Sequence, residues 1–539
     1  MKGARVFNFR PAAFAAVFLC LGIFAAYALV FYGLAAWLFI FLLPLALLFG
    51  GGAFKRRVIA VLLLGVAFAV GFCAFLQKVN AFENAKDYQG QEVTIVASLQ
   101  SERATKAGAE LVLSDLTVDG KAENGKLVAY LPASFLENFE VGNRVLIKGA
   151  LYKNEISIYG LGEELYYTLY GDSGAVVERT FSLFVFLRSR LQIAIESGMD
   201  ETSAAVTIAL LTGDENGIAR GLLDNIRYGG IAHVFAVSGL HIGALFGFVM
   251  LLIEKTPLQN LSKPARFLCV LAVLLFYGGI CGFSASVVRA IVICASFYFA
   301  KLGGLNKDFL EALGLGALLV LCFRPSALFE AGFQLSFAAC LGMALFARPF
   351  QNLAYVCCYK VLELFTGKNP LKIPPKQRNQ HPPNIRERIL RSCVSFFSAS
   401  TSAQLATAPL CLAHFGYLSV ASLFLNFLFV PFVGVLFSGM LICASVAALL
   451  QTVFQAAFLD VILRPIAVVW SAALLAFQTI DFSAWCLQGV LMPQTALVCY
   501  YLALSFASDK WNLSKYTRFL MTSLGFLASF SCVFFVNML

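Results

Sequence analysis

Charge is what this chain has least of. Asp, Glu, Lys and Arg make up only 13% of its 539 residues, against 60% hydrophobic, and the mean hydropathy is +0.80. A soluble domain carries about 25% charged and about 45–50% apolar residues. That shortfall excludes a soluble enzyme, a disordered scaffold and a secreted disulfide module, and leaves a polytopic membrane protein. Histidine is nearly absent too: His233, His241, His381 and His414 are all there is, too few for a histidine-rich two-metal hydrolytic centre. No cysteine lies between Cys73 and Cys269, and the 15 in the chain are scattered singly apart from Cys357 and Cys358. They read as small buried hydrophobes, not as a redox or zinc framework. No Gly-x-x-x-x-Gly-Lys-Ser/Thr loop is present, so no built-in ATP motor is expected, and no cofactor or metal.

What is present is a series of long uncharged runs, at 11–54, 58–77, 229–253, 267–288, 519–539 and 392–459. A helix crosses a bilayer in about 20 residues, so the first run holds two spans, turning near Tyr32 and Gly33, and the last-named two or three. Shorter runs are tilted spans, half-helices or buried helices, and roughly ten to thirteen spans and half-helices are expected in all. The apolar start runs on without a processing site, so it is not read as a cleaved signal. Lys2, Arg5 and Arg10 precede the first span, and Lys55, Arg56 and Arg57 separate the second from the third. Basic loops favour the cytoplasm. The N-terminus is therefore expected inside, with residues from about 79 onward outside. The segment 348–391 is strongly basic and Pro-rich, and reads as a cytoplasmic loop first, and as a contact for anionic lipid or nucleic acid second.

One soluble stretch, 79–180, interrupts this pattern. Alternating runs at 92–98, 110–113, 126–130, 143–149 and 155–159 are separated by turn residues, and five short strands suit an OB-like β-barrel. The stretch holds nine basic and fifteen acidic residues, near −6, which leaves +16 of the total +10 on the remainder. The expected organisation is 1–78 transmembrane, 79–180 extracytoplasmic barrel, 181–230 amphipathic helices, 231–347 transmembrane core, 348–391 basic loop and 392–539 transmembrane.

The apolar background is broken at a few polar points. A helix stops at Gly213-Asp214, and a short one follows with Arg220 and Arg227. His233, Val237 and His241 are spaced for one helical stripe, with Ser238 near it. Three readings stay open there: histidines bonding neighbouring helices, a Ser238–His241 nucleophile pair, and the polar lining of a translocation path. Arg289 sits between apolar runs, where an isolated guanidinium costs roughly 2.5–3.5 kcal/mol at mid-bilayer. A hydrated path or anionic partner would offset that; the alternative is snorkelling to headgroups. Glu330 and Gln334 lie one turn apart, and Gln404, His414 and Asn426 add sparse polar points further on.

Taken in order, these motifs resemble the ComEC family of competence DNA-uptake channels: Leu-Thr-Gly-Asp at 211–214, Gly-Ile-Ala-His-Val-Phe-Ala-Val-Ser-Gly-Leu-His at 230–241, Ser-Ala-Ser-Val-Val-Arg-Ala at 284–290, the run from Arg324 to Phe337, and Ala-Thr-Ala-Pro-Leu at 406–410 with Asn426. The resemblance implies a bacterial inner-membrane conduit for single-stranded DNA. It makes Asp214, Arg220, Arg227, His233, Ser238, His241, Arg289, Glu330, Gln334 and Asn426 candidate path residues, with no catalytic residue among them. It also implies an extracytoplasmic DNA receptor and a cytosolic motor as partners, besides membrane lipid. Long family members carry a metallo-β-lactamase-like domain whose His-x-His-x-Asp-His cluster does not occur here. Nuclease activity is therefore expected from a separate protein. The readings from other classes are an intramembrane serine hydrolase using Ser238 and His241, or a transporter of another anionic polymer or lipid.

Overall fold

The computed structural model describes residues 10–33, 54–105, 108–132, 141–178, 182–235, 237–304, 308–366, 385–454 and 478–538 apart from 491 and 508–514, with isolated positions between 464 and 474. The expected second span at 34–53, Lys2, Arg5, the centre of the basic loop with His381, and most of 455–477 lie outside the described residues.

Helix α1 (Pro11–Tyr32) and helix α2 (Phe54–Glu83) lie side by side and run in the same direction. Two glycines set their closeness: a Cβ on Gly22 would stand 2.0 Å from the Phe68 carbonyl oxygen, and one on Gly71 2.4 Å from that of Leu19. Small residues at such a crossing let apolar backbones touch, which replaces the hydrophobic drive that lipid cannot supply. Helix α2 leads straight into the barrel.

The barrel is built from β1 (Gln91–Thr105), β2 (Gly108–Val118), β3 (Lys121–Ala122), β4 (Lys126–Leu131), β5 (Arg144–Lys153), a short helix α3 (Ile158–Glu163) and β6 (Leu165–Glu178). Strand β1 pairs with β5 through its first half and with β2 through the rest, curling across bulges near Ala97 and Gln100. The ring closes as β1-β5-β6-β4-β2-β1, antiparallel except for β4 and β6. This is the five-stranded OB-like barrel. Alternate residues such as Ile95, Leu111, Leu113, Leu127, Ile147 and Leu169 fill it. Two local expectations change. Residues 155–159 do not form a strand, because the Ser157 side chain accepts from Gly160 N and starts α3. The fifth strand of the ring is β6, which runs through Gly171 to Gly174 and stays paired with β5 across its register shifts.

The remainder is helical: α4 (Leu183–Gly198), α5 (Glu201–Thr212), α6 (Arg220–Tyr228), α7 (Ala232–Phe235), α8 (Gly239–Lys255), α9 (Lys263–Ile280), α10 (Ala285–Gly303), α11 (Phe309–Phe323), α12 (Ala331–Thr366) and α13 (Ile385–Phe415). A small hairpin of β7 (Tyr417–Ser419) and β8 (Cys486–Gln488) brackets α14 (Ser422–Phe454), and α15 (Gln494–Ala507) and α16 (Lys515–Met538) follow. Among the described residues five helices are long and apolar enough to cross a membrane, or up to six if the two halves of α14, bent by 45°, count as one span. Four shorter apolar helices accompany them. The chain is a polytopic helical membrane protein with one inserted barrel.

The barrel is seated on the bundle at one end. Phe75, Val79 and Phe82 of α2 share a buried cluster with barrel residues and with Leu321, Ala327 and Phe333. Lys153 Nζ donates to the carbonyls of Glu83 (2.9 Å) and Ala85 (2.6 Å), and Lys78 pairs with Glu164. Arg324 Nη2 bridges Glu163 of α3 (3.0 Å) and Glu330 (3.1 Å), tying the barrel to the junction of α11 and α12. At the far end, Glu311 caps the start of α1 through Ala12 N and Ala13 N, and Arg10 meets Asp308 at 2.7 Å.

Candidate functional site: a polar collar at the barrel end

Helix directions decide where the polar residues fall. Helix α11 ends, and α12 begins, at the barrel. The short connection from α10 to α11 therefore puts the start of α10 there too, and Ser286 of α10 meets Ser336 of α12 at 2.8 Å. Lys301 and Glu254, near the C-termini of α10 and α8, pair at 3.1 Å, so these helices are parallel and α8 also starts at the barrel end. His414, at the end of α13, meets Gln334 near the start of α12 through Nε2 and Oε1 at 2.8 Å. Polar groups from α10, α12 and α13 thus meet pairwise at this end, alongside the start of α8.

The expected stripe of His233, Val237 and His241 on one helix does not form. The chain breaks between α7 and α8, and Ser238 becomes the N-cap of α8. Ser238 Oγ accepts from Leu240 N at 3.3 Å, while His241 Nδ1 accepts from Ser238 N at 3.0 Å. This is a capping box with His in the place normally taken by Glu or Gln. His241 is fully buried, edge-on to Phe437 with ring centroids 4.7 Å apart. Ser238 Oγ also lies 3.3 Å from His241 Nδ1, but that nitrogen already accepts a backbone N–H. The pair holds a helix start. His233, by contrast, leaves its side chain accessible while Val234 and Phe235 beside it are buried.

The other expected residues divide into fastened and unfastened ones. Asp214 follows the left-handed Gly213 that ends α5, accepts from Gln192 Nε2 at 3.1 Å and pairs with Arg188 at 3.1 Å, fixing that turn to α4. Arg227 lies between Glu215 (3.5 Å) and Asp224 (3.6 Å), and Arg220 is exposed at the start of α6. Glu330 and Gln334 diverge: Glu330 turns to Arg324, and Gln334 donates to the Leu328 carbonyl at 2.9 Å while reaching His414. Burial raises the pKa of Glu330, and Arg324 opposes that rise. Gln404 donates to the Ser419 carbonyl at 3.3 Å and contacts Ser422, beside Gly230. Asn426 keeps its Oδ1 buried with no hydrogen-bond partner among the described residues. Arg289 of α10 is buried against α8, α11 and α12. Among the described residues no three His, Cys, Asp or Glu side chains converge to hold a metal.

A second feature escaped the sequence reading. Tyr130, Tyr152 and Tyr170, on β4, β5 and β6, are 41%, 45% and 56% exposed on the outside of the barrel, with Tyr170 touching the other two. Tyr130 and Tyr170 stack at 5.8 Å between centroids, and Tyr152 meets Tyr170 edge-on at 5.9 Å. The alternation of 126–131 does place Tyr130 outward, but only the parallel pairing of β4 with β6 puts Tyr170 beside it.

Comparison with known proteins bears on this arrangement. A family model described as "Competence protein" matches residues 210–512. ComE operon protein 3 of Bacillus subtilis (strain 168) is 26% identical over 246 residues, which are 46% of this chain and 27% of that protein. The chain thus matches only about a quarter of that relative's length. No solved structure matches.

Proposed function

The chain belongs to the competence protein family, whose model covers more than half of it, and from that premise we propose that it takes part in DNA uptake as the membrane conduit for a single strand. The observation that carries this reading is the meeting of polar side chains from α10, α12 and α13, with Arg289 of α10 beside the start of α8, at the one end of the bundle where the barrel is docked. A strand with one charge per nucleotide cannot cross hydrocarbon; it needs a hydrated, polar-lined route through protein. Tolerant aromatic surfaces suit any base, because every base has a π-face. The tyrosine platform on the outside of the barrel supplies such a surface.

The barrel is acidic overall, so its grip on DNA would come from stacking more than from phosphate neutralisation. The orientation follows from the far end of the bundle, where α12 runs toward the basic segment. Basic loops favour the cytoplasm, which supports our reading of an N-terminus inside and a barrel outside a bacterial inner membrane. A receptor outside, a separate nuclease and a cytosolic motor complete the scheme.

The test is a clean deletion scored with fluorescent duplex DNA, separating surface-bound from cytosolic label. The conduit reading expects surface binding to persist and cytosolic label to vanish. Undiminished cytosolic label in the deletion contradicts it.

A further inference from the structure

Arg289 differs from every other charged group of the collar. It is only 6% exposed, and its Nε and Nη1 have no hydrogen-bond partner among the described residues. Nη2 lies against Gly239, where a Cβ would stand 3.2 Å away, and Gly239 is the first residue of the 17-residue helix α8. Among the described residues its favourable neighbours are the face of Phe337, 5.5 Å from the guanidinium carbon, and the uncharged thiol of Cys340. Gly316 of α11 lies on another side, where a Cβ would make ordinary contact 3.5 Å from Arg289 Cγ.

A buried guanidinium without a counter-charge is costly. Here the cost is increased, because a helix N-terminus carries roughly half a positive charge and Arg289 packs beside the first residue of α8. Two positive groups therefore lie side by side in a buried seam, and one oxyanion taken up by the unpartnered Nε and Nη1 relieves both. The neighbouring Ser286–Ser336 pair adds hydroxyls at the same level.

We propose that Arg289, set at the N-terminus of α8, is a docking site for a single phosphodiester group of the passing strand. This rests on the conduit reading. An anionic lipid headgroup offers the same chemistry, but the position of Arg289 among α8, α10, α11 and α12, with little exposed surface, favours a ligand that moves through the bundle.

The test uses the full-length protein in phosphatidylcholine nanodiscs and a fluorescent oligothymidylate, with affinity measured by anisotropy across a range of salt. Losing one phosphate contact to a single strand lowers the log–log salt slope by about 0.7. Arg289→Gln should show that loss, whereas Arg289→Lys, which keeps a cation, should bind more weakly with a slope near that of the natural protein. An unchanged slope in Arg289→Gln overturns the proposal. Without DNA, Arg289→Met should unfold at a temperature no lower than the natural protein; a lower one makes Arg289 a structural residue and also overturns it. If phosphatidylglycerol stabilises the natural protein but not Arg289→Gln, the occupant is a headgroup and the strand assignment fails. Normal import into cells with an unchanged slope refutes only the role of Arg289, whereas absence of import by the natural protein refutes the conduit reading itself.

Discussion

Replacing Ser238 by Ala removes the oxygen that accepts from Leu240 N and leaves the start of α8 without its side-chain cap. Such a loss costs about 1 kcal/mol, within a range of about 0.5–2. His241→Ala removes more. It deletes a fully buried ring beside Phe437 and takes from Ser238 N its acceptor at 3.0 Å. An orphaned buried donor costs about 1–3 kcal/mol, and the half-buried Ser238 N–H falls at the low end of that before any cavity is counted. Asn is at least as good an N-cap as Ser, yet it has no hydroxyl to act as a nucleophile. The expected order of thermal stability in nanodiscs is therefore natural protein close to Ser238→Asn, then Ser238→Ala, then His241→Ala, and cytosolic delivery of labelled DNA should follow the same order. A serine hydrolase behaves otherwise: Ser238→Asn and Ser238→Ala would be equally inactive, and a fluorophosphonate would label only the natural protein. Ser238→Asn at full stability with no delivery of DNA refutes the capping account.

Three further perturbations probe other parts of the molecule. Tyr170→Ala removes the ring shared by both contacts of the platform, and stacking is worth about 1–3 kcal/mol per base; anisotropy with oligothymidylate should show a loss in that range, nearly independent of salt, while Tyr170→Phe binds normally. Gly22→Val drives a side chain into the Phe68 carbonyl, and overpacking of about 1–3 kcal/mol or more should appear as reduced membrane levels and a lower unfolding temperature. Glu330 has a raised pKa in the folded protein, so it favours folding below the ordinary carboxylate pKa, and that contribution is lost as pH rises through the raised value. Arg324→Gln removes the opposing cation and should steepen that loss between acidic and neutral pH, and Glu330→Gln should flatten it, both read by thermal unfolding across pH.

Much of this molecule was legible in its sequence because charge is so unevenly spread. Uncharged runs exposed the membrane helices, and period-two alternation exposed four strands of the barrel. The fifth was not read: Gly171, Asp172, Ser173 and Gly174 are turn-forming residue types, yet β6 carries them through, paired with β5 across a register shift at Asp172. Residues 155–159 alternate like a strand, but a single serine hydroxyl starts a helix there. The spacing of His233 and His241 suited one helix; Ser238 ended that possibility by capping the next, with a histidine in a position where Glu or Gln is the usual signal. Other features depend on tertiary placement that no local pattern records. Gln334 and His414 meet across 80 positions, and Arg324 reaches Glu163 across 161. The isolation of Arg289 was suggested by its apolar flanks, but the helix end opposite it emerges only from the packing of α8 on α10.

The collar itself is most directly tested by photo-crosslinking during uptake. A photoreactive residue at Gln334, within the collar, is compared with one at Leu268, which is 61% exposed on the outer face of α9, while cells take up labelled duplex DNA. A strand that passes through the collar predicts crosslinks from position 334 to single-stranded DNA and none from position 268. Equal yields at the two positions, or DNA captured at Tyr170 on the barrel but never at 334, would contradict a path through this bundle.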